Sequence, residues 1–113
     1  MRQWMVNPKF MCRKHLLGEH VEHHMFVGTL QQKKNIKGYI ENNLLEPLSL
    51  KIRHDELVKE MEARGYNHYS PLEIELRKLL DYLPVEYIFY RINRQDSEKE
   101  LFSRCEECKR RRQ

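Results

Sequence analysis

The stretch KHLLGEHVEHH, residues 14–24, holds four histidines and two glutamates in eleven residues, interrupted only by Gly18. It fits a metal site, a buried polar seam or one face of a catalytic helix. His20 and His24 stand four apart, as do Glu19 and His23, and side chains one helical turn apart converge enough to share a metal. The order HVEHH lacks the spacing of the H-E-x-x-H zinc motif, so no metal is assigned to it. Near the other end, CEEC offers Cys105 and Cys108. These are half of a zinc pair, which Cys12 and a histidine or water would have to complete. Two exposed thiols on a basic tail are the preferred reading there. A third arrangement runs down the same helix: His15, Glu19, Glu22 and Phe26, at spacings of four, three and four. Two carboxylates and an imidazole on one line are what general acid–base chemistry requires, and also what an ordinary solvated face looks like.

These side chains need helices to position them. Leu17, Val21, Met25 and Gly28 recur about once per turn, with Leu16 and His24 alongside, which predicts a first helix from near Met11 to near Gln32. KKNIKGYIENN reads as a polar connection. A second helix is expected from Pro47, with Leu50, His54, Leu57, Val58 and Met61 on its buried face, closing at Gly65. A third is expected from Ser70, with Pro71 in its first turn, Glu73 completing a capping box and Leu72, Leu76, Leu79 and Leu80 buried. Pro84 ends it, and a last helical stretch follows, re-nucleated near Ser97. No alternating run of strand length occurs. The expectation is an all-α fold of three to four helices forming one domain over residues 1–113, with a basic tail from about residue 103.

Composition narrows the function classes. The net charge is +4, with 34% charged residues, which admits a polyanionic partner but also suits simple solubility. No apolar run spans a membrane and the first residues lack a signal-peptide core, so no membrane association is expected. Three cysteines argue for a reducing interior, hence a cytoplasmic protein. Arg13 and Lys14 lie at one end of the His15–Phe26 line and Lys33, Lys34 and Lys37 beyond the other. A carboxylate between two cationic clusters fits a site that holds a nucleic-acid backbone while acting on a sugar or base.

At these residues the chain resembles a known family. CRKHLLGEHVEHHMFVG resembles the first helix of the phage-type pyrimidine dimer DNA glycosylases. RHDELVKEMEARGYNHYSPL is similar to the second-helix segment of that family's small members, and the chain opens MRQW. The resemblance implies an all-α enzyme that cleaves the N-glycosidic bond at a cyclobutane pyrimidine dimer and then nicks the abasic strand by β-elimination, without a cofactor. Its nucleophile would be the α-amine of Met1, which Arg2, being bulky, protects from trimming. Its acidic partner would be Glu22, and His15 would support the lyase step. Arg2 would contact DNA. An α-amine ordinarily titrates near about 8, against about 10.4 for lysine, so a useful fraction is unprotonated at neutral pH.

Two positions depart from the family pattern. Where the best-known member has arginines immediately before, and three residues after, its glutamate, this chain has Val21 and Met25. Arg13, Lys14, Arg53 or the C-terminal cations are expected to replace those phosphate contacts, Arg91 and Arg94 are expected to take over the phosphate contacts of the family's last helix, and His20 and His23 are expected to wall the DNA groove. Tyr87, Phe89 and Tyr90 are expected in the core rather than as a stacking surface. The implied partner is double-stranded damaged DNA, bound by a monomer. A non-catalytic DNA-binding module of the same fold and a metal-dependent hydrolase are the competing readings.

Overall fold

A computed structural model describes residues 1–67 and 70–113; His68 and Tyr69, inside the second family-like block, lie outside the described residues. The described residues are helical, with no strand among them. A 3-10 turn at Pro8–Phe10 leads into α1 (Arg13–Gln31). There follow α2 (Lys37–Glu41), α3 (Leu50–Ala63, entered through a 3-10 turn at Pro47–Ser49), α4 (Leu76–Leu80), α5 (Val85–Ile88), α6 (Arg94–Arg104) and α7 (Glu106–Arg112). None of these helices is long and apolar enough to cross a membrane.

The second helix follows its sequence pattern closely. Leu50, His54, Leu57, Val58 and Met61 are all buried on α3, and Gly65 takes a φ of +79° just past its end, where a side chain would be strained. Elsewhere the structure corrects the expectation. KKNIKGYIENN is not a plain connection: Ile36 and Ile40 are buried and pull the short α2 into the core. The helix expected from Ser70 begins only after Glu75; of its expected leucines, Leu80 is buried on α4 and Leu72 is buried ahead of it. The last stretch breaks after Ile88 and restarts where the Asn93 side chain accepts from the Asp96 N–H, rather than at Ser97. Phe89 is 62% exposed, whereas Tyr87 and Tyr90 pack partly against the core.

The largest correction concerns the face of α1. Val21 and Met25, placed on the buried stripe by their hydropathy, are 54% and 50% exposed. The buried residues are Leu16, Glu19, His20, His23, Phe26, Val27 and Leu30, a face centred roughly 150° around the helix from the expected stripe. The rotation has a clear cause: α1 spans two apolar clusters with polar side chains between them. Leu16 joins Trp4, Val6, Met11, Leu57, Met61 and Leu101 at one end. Phe26 and Leu30 join Ile36, Ile40, Leu45, Leu50, Leu80 and Leu83 at the other. Between them, Glu19 holds Arg53 through both carboxylate oxygens, at 2.6 and 2.8 Å. Arg53 also donates to the Val6 carbonyl and to Glu56. A fully desolvated ion pair persists only when its remaining polar atoms are satisfied in this way. KHLLGEHVEHH is therefore in large part a buried polar seam.

Candidate functional site

The first four residues are anchored to that seam. The Gln3 backbone N–H donates to the Leu44 carbonyl at 2.8 Å. Its fully buried side chain accepts from the Glu46 N–H and meets His23 Nε2 at 3.1 Å. His23 Nδ1 lies 2.8 Å from the Glu19 carbonyl, which only accepts. The ring thus donates from Nδ1 and receives the Gln3 amide at Nε2, as a neutral imidazole. Burial lowers the His23 pKa in keeping with that form. The Ser97 hydroxyl donates to the Trp4 carbonyl. Met5 then turns the chain at a φ of +56°, a left-handed geometry that costs a non-glycine residue roughly 1–2 kcal/mol. The contacts on either side of Met5, Ser97 on Trp4 and Arg53 on Val6, hold the turn.

This anchoring sets the Met1 α-amine 3.7 Å from Glu22 Oε1, with the two side chains 16% and 27% exposed. Both border a cleft of about 730 Å³ that is also lined by Arg2, Trp4, Lys14, His15, Gly18, Glu19, Val21 and Arg104. Three side-chain cations and an amine thus share the cleft with one partly accessible carboxylate. Burial raises the Glu22 pKa, and the nearby α-amine acts in the opposite direction. Arg2 stacks on Trp4, its guanidinium carbon 3.7 Å from the ring centroid, and donates to Ser97 Oγ at 3.2 Å. Its Nε is buried without a partner among the described residues. Burial, and then Arg104, lower its pKa. Burial also lowers that of His15, with Lys14 and Arg104 adding to the effect.

Of the expected site residues, Met1, Arg2, Lys14, His15 and Glu22 come together in this cleft. Arg13 is exposed on the adjoining face, its guanidinium 5.1 Å from the Tyr66 ring. Two expected DNA contacts are corrected. Arg53 is 1% exposed and its guanidinium is consumed by Glu19, Glu56 and the Val6 carbonyl, so it offers nothing to a phosphate. His23 is 0% exposed and serves as a support for Gln3 rather than as a groove wall. His20 is almost buried and packs 4.8 Å from His54 and 5.2 Å from His24, centroid to centroid. The Nε2 atoms of His24 and His54 both lie on the Ser70 carbonyl, at 3.1 and 2.9 Å. Arg91 and Arg94 lie outside the cleft and pair with the buried carboxylate of Glu46.

Gln3, Trp4 and Arg104 were not anticipated. A glutamine or tryptophan near a terminus carries no spacing signal, and Arg104 sits in a tail whose register the sequence leaves open. Nor are the cysteines of CEEC two exposed thiols. Cys108 is buried and Cys105 half-buried, and both lie against Cys12 and His15.

A family model described as pyrimidine dimer DNA glycosylase matches residues 1–74, the part of the chain that supplies Met1, Arg2, Trp4, His15 and Glu22. No curated protein and no solved structure matches the chain significantly.

Proposed function

The chain belongs to the pyrimidine dimer DNA glycosylase family, and from that premise we propose that it is a bifunctional repair enzyme acting on cyclobutane pyrimidine dimers in duplex DNA. The observation that carries the reading is the Met1 α-amine 3.7 Å from Glu22 in a cation-lined cleft. In this reading the unprotonated amine attacks the sugar C1′ as the C1′–N glycosidic bond breaks, and the departing base takes up a proton. The adduct opens to an imine. Its electron demand acidifies the C2′ proton, whose removal expels the 3′-phosphate, and water then hydrolyses the imine to free the amine.

Glu22 suits both halves of this sequence. Its raised pKa supports a carboxyl that carries protons during ring opening and elimination, and in its ionised form it stabilises positive charge developing on the sugar. His15 assists the lyase step from the cleft wall. Arg2, Lys14 and Arg104 hold the backbone phosphates, with Arg13 on the flank. Access to C1′ requires a locally opened duplex, which costs less where a lesion has already weakened stacking.

Borohydride reduction of the protein mixed with dimer-containing or abasic DNA should trap one covalent adduct, with its mass on Met1. Acetylation or extension of the amine should abolish it; an adduct that survives a blocked terminus moves the nucleophile elsewhere. One observation favours a second reading, a DNA-binding module without catalysis: the exposed Val21 and Met25 stand beside Glu22 where the best-known family member has arginines. Wild-type protein that binds ultraviolet-irradiated plasmid but never incises it would establish that alternative.

A further inference from the structure

Three cysteines and one histidine, drawn from opposite ends of the chain, meet at a single point. Cys12 and His15 flank the first turn of α1 as C-x-x-H, and Cys105 and Cys108 flank the first turn of α7 as C-x-x-C. Cys12 Sγ lies 3.2 Å from His15 Nδ1 and 3.8 Å from Cys105 Sγ, and Cys108 Sγ lies 3.7 Å from the same imidazole nitrogen. All four ligand atoms fall within 4.8 Å of one another.

We propose that Cys12, His15, Cys105 and Cys108 form a structural zinc site that fastens the C-terminal helices to the start of α1. A tetrahedral zinc with Zn–S near 2.3 Å and Zn–N near 2.0–2.1 Å requires edges of about 3.8 Å between sulfurs and about 3.6 Å between sulfur and nitrogen. The observed separations bracket those edges. Three sulfurs and one imidazole nitrogen are a common closed set for zinc, with no position left for substrate, which points to a structural role. The second shell is also in place. The Cys12 N–H points at Cys108 Sγ at 3.1 Å and the Cys108 N–H at Cys105 Sγ at 3.5 Å. Such donors stabilise thiolates and orient them on a metal. Packing alone does not account for four polar ligand atoms turned toward one another beside an apolar cluster, when Cys12 and Cys108 could bury equally well as isolated thiols.

Binding replaces the three thiol protons with one divalent cation, giving a site of net charge −1. It also fixes His15. With Nδ1 on the metal, the ring's proton stays on Nε2, and His15 can then support the cleft only as a hydrogen-bond donor. The same clamp carries Arg104, which precedes Cys105, to the cleft wall beside Trp4.

The test uses the full chain, purified without chelator from zinc-supplemented cells. Elemental analysis should find one zinc per chain, released by a mercurial that titrates three thiols. Cobalt added to the metal-free protein should give thiolate charge-transfer and tetrahedral d–d bands. Cys105→Ser and Cys108→Ser should lose the metal, and His15→Ala should weaken zinc binding by at least about 100-fold. His15→Cys should keep it, which separates ligation from misfolding. Metal-free protein with three freely titrating thiols, or a disulfide among them, would overturn the proposal, as would a melting temperature that neither chelator lowers nor zinc restores. None of these readouts depends on DNA cleavage, so the outcome stands whatever the borohydride experiment gives.

Discussion

The carboxyl of Glu22 lies where burial and the Met1 α-amine act on it in opposite senses, and burial prevails, raising its pKa. A carboxyl whose folded pKa is raised stabilises the fold below its unfolded value and gives that stability up as pH rises through the folded value. Glu22→Gln should therefore leave thermal stability at pH 7 unchanged or higher. Strand incision should fall by on the order of 10²–10⁴ if Glu22 does proton-transfer chemistry. Melting curves beside single-turnover incision decide the point; a variant that loses both together would make Glu22 a structural residue. Arg53 behaves in the opposite way. Its partner Glu19 is buried with it, so Arg53→Ala strands a carboxylate and should cost about 3–5 kcal/mol in urea denaturation. A phosphate-contacting arginine would instead weaken DNA binding and leave the urea midpoint in place.

At the scale of the helix pair α1–α3, the histidines make the interface acid-sensitive. Burial lowers His20 to about 4, with His54, His24 and His23 adding to the shift and the Ser70 carbonyl opposing it. His23 and His24 are lowered too, also chiefly by burial. Because these folded values lie below the ordinary 6.5, the interface keeps its full stability above that pH and loses it as pH falls toward about 4. Urea midpoints recorded across that range should drop, and His20→Phe should make the drop shallower; identical slopes would remove His20 as a cause. The same pair explains how much of the molecule could be read from its residues. Leu50, His54, Leu57, Val58 and Met61 were legible on α3 because four of the five are apolar and hydropathy sees them. The buried face of α1 was not, because polar residues occupy it: Glu19 and His23 become satisfied through Arg53 and Gln3, partners far away in sequence, and His20 packs against the ring of His54. The family resemblance puts Met1 and Glu22 in one site, and they lie 3.7 Å apart; the sequence offers Cys12 as a partner for Cys105 and Cys108, but the choice of His15 depends on a fold that closes across more than ninety residues.

For the whole molecule, the two apolar clusters and the polar seam between them divide the surface cations into two populations. Lys14 and Arg104 border the cleft with Met1 and Glu22, whereas Arg91 and Arg94 are tied to Glu46 outside it. Glu46 is fully buried, and hydrogen bonds from Arg94 and Ser49 hold its pKa down against burial. Each phosphate a protein neutralises contributes about 0.9 to the slope of log affinity against log salt on duplex DNA. If the cleft is the DNA face, Lys14→Ala and Arg104→Ala should each reduce that slope by about 1. Arg94→Ala should leave the slope unchanged and lower the melting temperature instead, because it leaves part of a buried carboxylate without its donor. Fluorescence-anisotropy titrations of a dimer-containing duplex at four or more salt concentrations would separate the two populations. A slope that falls with Arg94→Ala and stays constant with Lys14→Ala would put the DNA over Arg94, outside the cleft that holds the amine.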